Sequence, residues 1–154
     1  MQLFLLRHGH AVAHAASDSE RPLSELGRAD IRINIAAIAN ELSTLEAVWV
    51  SPYLRAQQTW QEAKTFLPKA PNSINQDAIT PDGNLDEVIT LLAQANVASL
   101  LLVTHQTFVG DLMDYLCGFE PGQYFMDTAD VVAIDLPDIV SGVGELCWHR
   151  KAHP

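Results

Sequence analysis

A chain of 154 residues, 48% apolar and 18% charged, can fill one hydrophobic core and is too apolar to stay disordered. Nine basic residues against nineteen acidic ones leave a net charge of −10, which opposes binding to nucleic acid and to anionic membranes. The same field repels free phosphate esters, so any phosphate site must be a local basic pocket, and a protein partner with a basic face is favoured.

The first element is a nearly continuous apolar run at residues 2–6, the pattern of a buried strand. It is too short for a signal peptide or a membrane span, which places the chain in the cytoplasm. A polar loop follows at residues 7–22, long enough to suggest a functional segment. The spacing of Ile31, Ile35, Ile38 and Leu42 predicts a helix over residues 24–42, with Ser24 as N-cap and Gly27 weakening its first turn. Residues 47–51 read as a second buried strand, and Pro52 opens a helix striped by Ala56, Trp60, Ala63 and Leu67. Residues 68–75 read as a loop, and Pro81-Asp82-Gly83 as a turn. A third helix carries Leu85, Val88, Ile89 and Leu92. The run 99–104 is a third, central strand. It leads through His105 into a helix facing the core with Val109, Leu112, Met113 and Leu116 and stopped by Gly118. Residues 130–136 and 145–149 read as two closing strands. With no repeat and no linker, residues 1–154 are expected to form a single domain. Its fold class is a three-layer α/β/α sandwich with a mostly parallel sheet.

In such sheets ligands lie beyond the carboxyl ends of the strands. Three strand ends carry chemistry: Arg7-His8-Gly9, Ser51-Pro52 with Arg55 one turn into the helix, and Thr104-His105 before a helix N-terminus. A parallel sheet would bring Arg7, His8, Arg55 and His105 into one crevice. Guanidinium forks match phosphate oxygens, and the helix start adds free N–H groups. No carboxylate within these motifs neutralises the cluster, so the pocket is expected to hold a phosphoryl group.

Leu6-Arg7-His8-Gly9-His10 resembles the R-H-G motif of the histidine phosphatase superfamily, whose fold is called phosphoglycerate mutase-like. Residues 51–59 (SPYLRAQQT) resemble its S-P-x-x-R-A-x-Q-T motif, and Val103-Thr104-His105 its V-[ST]-H motif. Residues 15–23 (AASDSERPL) and the short length are similar to the SixA-type phosphohistidine phosphatases within it. The resemblance covers essentially the whole chain. It implies a cofactor-independent phosphatase in which His8 is the nucleophile, forming a phosphohistidine intermediate. Arg7, Arg55 and His105 would hold the phosphoryl oxygens, and Arg21 would reach them from the loop. The larger family members carry an acidic residue that protonates the leaving alkoxide, and residues 78–84 show no matching Glu. Asp82, Asp18 and Glu20 are weak substitutes. A missing acid favours an N–P substrate, a phosphohistidine on a phosphorelay or phosphotransferase protein, because imidazole carries its own proton near neutral pH. A small-metabolite phosphomonoesterase and an inactive phosphate-binding module are the competing readings.

Plainer roles are weighed for several residues. Arg21 could simply pair with Glu20 or Glu25 on the surface. His10, His14, His149 and His153 match no motif and are expected at the surface. No HExxH spacing appears among the six histidines, and Arg repels cations, so no metal is expected. Ser17 and Ser51 lack a nucleophile elbow. Trp49, Trp60 and Trp148 are assigned to the core, and Cys117 and Cys147 are expected to be reduced and mostly buried. Nothing demands more than a monomer.

Overall fold

Runs of apolar residues without a polar face need cover on both sides, and helices with one apolar stripe supply it. The computed structural model describes residues 1–154. Its strands are β1 (Gln2–Arg7), β2 (Ala47–Val50), β3 (Ser73–Asn75), β4 (Ser99–Thr104), β5 (Val131–Asp135) and β6 (Glu145–Arg150). Its α-helices are α1 (Glu25–Ala37), α2 (Leu54–Ala63), α3 (Leu85–Gln94) and α4 (Phe108–Cys117). The strands form one six-stranded sheet in the order β3-β2-β4-β1-β5-β6. β3, β2, β4 and β1 run parallel, while β5 is antiparallel to both its neighbours.

The two-residue period of the strands divides the core into two halves. Leu3, Leu5, Leu100 and Leu102 face one side and meet Val88 and Leu92 of α3 and Val109, Leu112 and Leu116 of α4. Phe4, Leu6, Leu101 and Val103 face the other and meet Ile31 and Ile35 of α1 and Ala56, Trp60 and Ala63 of α2. This is the expected three-layer, mostly parallel architecture. β4 is buried at all six positions, as the apolar run from Leu100 to Val103 at its centre requires.

Several boundaries differ from the sequence pattern. α1 ends at Ala37 rather than Leu42, because the Ile38 N–H turns back to the Ile35 carbonyl at 3.1 Å. Ile38, Leu42 and Leu45 still point into the core from the turns that follow, which is why the apolar spacing outlasts the helix. β3 falls inside the stretch read as a loop. Three residues are too few for a periodicity, and its central side chain, Ile74, is 59% exposed at the sheet edge. α4 stops as expected, with Gly118 in the left-handed region at φ 71°. Trp49 and Trp60 are buried in opposite core halves, and Trp148 packs against the half that holds Trp60. Both cysteines are free, but Cys117 is only half-buried and Cys147 is exposed, because β6 is an edge strand. No helix is long and apolar enough to cross a membrane.

Gly27, which weakened the first turn of α1 on propensity, is there for space. A Cβ at this position would lie 2.1 Å from the His10 carbonyl oxygen, so the absence of a side chain lets the segment after β1 pack directly on the helix. Gly27→Ala is therefore expected to destabilise the fold by about 1–3 kcal/mol through overpacking. A denaturant titration of the variant against the parent would read this, and an unchanged midpoint would contradict the close approach.

Candidate active site

Parallel pairing brings the three motif-bearing strand ends side by side. The His8 N–H bonds the Thr104 carbonyl at 3.0 Å, and the Ser51 N–H bonds the Val103 carbonyl at 3.0 Å. His8, Arg55 and His105 are 8%, 5% and 0% exposed, and Arg7 is half-buried. Arg55 Nε donates to His8 Nε2 at 3.3 Å, and the two imidazoles stand 4.9 Å apart between ring centres. All four residues read from the motifs thus meet at one end of the sheet.

The hydrogen bonds orient each group. His8 Nδ1 lies 2.7 Å from the Gly9 carbonyl oxygen, which can only accept, so the ring proton sits on Nδ1 and Nε2 keeps its lone pair. Arg7 Nη1 donates to the Met126 carbonyl at 2.7 Å. His105 Nε2 pairs with Ser51 Oγ at 2.7 Å, and Tyr53 packs against the same imidazole in a T-shaped pair with ring centres 5.2 Å apart. Tyr53 also lies under the Arg55 guanidinium at 5.0 Å. Thr59 Oγ1 accepts from the Gly9 N–H and donates to the Arg55 carbonyl, tying the two motifs together. Arg7 Nε, His105 Nδ1 and Ser99 Oγ are buried without a hydrogen-bond partner.

A carboxylate does enter the cluster, although none lies within the motifs. Asp18 sits in a short 3₁₀ turn, Asp18–Glu20, in the long loop. Arg55 Nη1 donates to the Asp18 carbonyl at 2.7 Å and Nη2 to its Oδ2 at 3.1 Å. Arg21 Nη1 donates to the other carboxylate oxygen at 2.9 Å and Arg21 Nε to the Val12 carbonyl at 2.8 Å. Arg21 therefore pairs with neither Glu20 nor Glu25, and Asp18 links it to Arg55. Hydrogen bonds from Arg21 and Arg55 hold the Asp18 carboxyl below its ordinary range, the opposite of what a proton donor needs. Glu20 and Asp82 are exposed and make no bond to the cluster, Asp82 lying in the turn closed by Gly83 N–H to Thr80 O at 2.8 Å.

Burial, more than charge, sets the imidazoles. His8 is pushed down to about 3, first by desolvation and then by Arg55, Arg7 and Arg21, against the raising effect of the Gly9 carbonyl. His105 is also pushed far down by burial, with His8 and Arg55 adding to it. Like-charge repulsion, the cause expected from sequence, acts in the same direction but comes second.

Behind the site lies a buried polar brace that the sequence did not signal. The Ala129 N–H bonds the carbonyls of Arg7 and His8 at 3.2 and 3.1 Å, and the Arg7 N–H bonds the Asp130 carbonyl at 3.1 Å. The Asp130 carboxylate, 1% exposed, accepts from His149 Nε2 at 2.8 Å and from the N–H groups of Ala152 and Asp127 at 2.9 Å each. His149 Nδ1 meets the Tyr124 hydroxyl at 2.8 Å. Burial favours the neutral acid at Asp130, but these bonds hold its carboxyl below the ordinary value. His149 is therefore no surface residue; its side chain is 16% exposed because β6 folds it against the loop that backs Arg7. His10, His14 and His153 are exposed as expected, with His153 paired to Asp30 at 2.9 Å.

The model of the histidine phosphatase superfamily (branch 1) matches residues 3–77, the segment holding the first two motifs. Phosphohistidine phosphatase SixA of Escherichia coli (strain K12) is 34% identical over 154 residues, 98% of this chain and 94% of that protein. The chain belongs to the histidine phosphatase superfamily. Another similar member of this superfamily is the SixA homolog of Haemophilus influenzae (strain ATCC 51907 / DSM 11121 / KW20 / Rd), 33% identical over 128 residues, 77% of this chain and 78% of that one. The solved structure of the protein histidine phosphatase SixA complexed with tungstate is 32% identical, covers 99% of this chain and 98% of its own, and superimposes with a TM-score of 0.87. The architecture is thus the phosphoglycerate mutase-like α/β fold, and the chain is a phosphatase of this superfamily.

A neutral, buried His8 has two measurable consequences. Its folded pKa lies below the ordinary 6.5, so this stabilising contribution is present above about pH 6.5 and fades as pH falls toward 3. In the free protein the His8 ring resonances should remain those of neutral imidazole down to about pH 5, where an ordinary histidine is already protonated. An NMR titration midpoint near the ordinary value would contradict the burial. An ionised Asp18 likewise makes a specific forecast. Asp18→Asn should leave kcat for an alkyl phosphate within about tenfold of the parent, whereas loss of a general acid removes about 10²–10⁴-fold.

Proposed function

We propose that this chain is a phosphohistidine phosphatase that removes phosphoryl groups from a phosphorelay or phosphotransferase protein through a phospho-His8 intermediate. The observation that carries the reading is the fixed tautomer of His8, whose unprotonated Nε2 lies beside Arg55 in a pocket holding no carboxyl able to donate a proton. The similarity to SixA proteins, one of them solved with the tetrahedral oxyanion tungstate, supports the same reading.

Each step follows from groups already placed. His8 Nε2 attacks phosphorus, forming a new N–P bond, while the bond to the leaving imidazole breaks and its electron pair returns to that nitrogen. Water then attacks the phosphohistidine, releasing inorganic phosphate and regenerating His8. Arg7, Arg55 and His105 hold the equatorial oxygens, and Arg21 is tethered within reach through Asp18. Phosphoryl transfer depends mainly on positioning and on charge stabilisation, which the guanidiniums supply without a cofactor. An alkoxide would need a proton from the protein as it departs. Imidazole brings its own at neutral pH, which suits a site whose nearest carboxylate stays ionised. A net charge of −10 repels a small, highly anionic metabolite, which favours a phosphorylated side chain carried by a protein partner with a basic face.

Incubating the protein with a phosphohistidine-bearing phosphocarrier in the presence of EDTA should release phosphate. His8→Ala should lower that rate by at least about 10³-fold. Quenched turnover should trap acid-labile label on His8. Ready hydrolysis of sugar phosphates with the phosphohistidine protein untouched would replace the proposal with the metabolite reading. Oxyanion binding without turnover of either would replace it with the binding module.

A further inference from the structure

Of three Trp, three Tyr and five Phe in the chain, Phe125 alone is exposed. It is 63% exposed, and its ring centre lies 5.5 Å from the guanidinium carbon of Arg7. A phenyl ring left in water forgoes the stabilisation that its burial would bring, so its place at the edge of the phosphate pocket needs a reason. Mobility does not supply one, because the backbone on both sides is pinned. The Tyr124 N–H bonds the Asp114 carboxylate at 2.9 Å and the Tyr124 hydroxyl bonds His149 at 2.8 Å. Met126 is fully buried, its N–H bonds Gln106 Oε1 at 3.1 Å, and its carbonyl holds Arg7 Nη1 at 2.7 Å. Phe125 is thus carried on a pinned backbone, on the residue beside the one that positions Arg7.

We infer that Phe125 is a specificity-determining residue that stacks on the leaving imidazole of the substrate. The inference rests on the proposed phosphohistidine phosphatase activity and adds to it how a ring is distinguished from other leaving groups. Displacement by His8 Nε2 runs in line, so the leaving nitrogen lies across phosphorus from His8. His8, Arg55 and His105 form the buried base of the pocket, which directs the leaving group outward to its mouth. Phe125 stands on the solvent side of Arg7, with most of its ring exposed. Tyr53 is the other aromatic ring of the cluster, but it is already engaged by the Arg55 guanidinium and by a T-shaped pair with His105. Aromatic pairs form at ring separations of about 4.5–7 Å and tolerate offset or tilted geometry, so stacking on Phe125 demands little of the substrate's approach.

Two small N–P compounds separate recognition of the ring from recognition of the bond: phosphoimidazole carries the ring and phosphoramidate lacks it. The parent protein should favour phosphoimidazole. Phe125→Ala should lower the ratio of kcat/KM for phosphoimidazole over phosphoramidate by about three- to tenfold, the range one aromatic pair supplies. Phe125→Trp should restore the ratio, and Phe125→Leu, apolar without a ring, should not. A loss shared equally by both compounds would show that Phe125 merely props Arg7 and would overturn the inference while leaving the activity intact. A parent protein that cleaves glycerol phosphate and neither N–P compound would overturn the proposed function itself, and this inference with it.

Discussion

The hydrogen-bond ladder between β1, β4 and β2 is what turns scattered residues into a site. Arg7 sits opposite Thr104 and Val50 opposite Val103, so the residues that follow each strand, His8, His105 and Ser51, emerge together. Register here is under unusual constraint. The inner strands are apolar on both faces, and a slip of one residue would reverse every side chain and set Arg7 against the core. The packing of Leu3, Phe4, Leu5 and Leu6 into two opposed core halves therefore also fixes where the imidazoles point.

The same geometry explains how a chain of net charge −10 maintains a cationic pocket. Its guanidiniums are oriented largely by main-chain carbonyls: Met126 for Arg7, Asp18 for Arg55 and Val12 for Arg21. A carbonyl positions a guanidinium without cancelling its charge, so the field remains available to a substrate. Asp18 is the exception, and its side chain is 56% exposed. It holds Arg55 and Arg21 in register with one another from the solvent side, in a place that substrate oxygens could take over. Inside, by contrast, neutrality is enforced by desolvation, which keeps His8 a neutral imidazole rather than a cation.

How much of this could be read in the sequence depended on the range of the interactions. Arg7-His8-Gly9, Ser51 to Thr59 and Thr104-His105 were legible because each motif lies at the end of an apolar run, and the alternation of strands and helices placed those ends together. Gly118 ended α4 for a reason local to one residue. The end of α1 was misplaced because turn residues Ile38 and Leu42 kept the helical spacing of buried positions, and β3 was missed because three residues show no period. Asp18 was considered only as an acid, since its bonds to Arg55 and Arg21 depend on the path of a long loop. Asp130 and His149 gave no signal at all. Their pairing follows from the antiparallel register of β5 and β6, in which Val132 faces His149, and no composition or spacing announces it.

That brace has a bearing on the order in which the molecule is made. β1 carries Arg7 and leads into His8, and it precedes β4 and β5, with which it pairs. The strand that clamps Asp130, β6, follows β5 in the chain. A nascent chain grown only as far as β5 already holds every motif residue but lacks His149 and Ala152, the partners that fasten the loop behind Arg7. Vectorial synthesis thus delivers Arg7 and His8 before the partners that fasten the loop behind them.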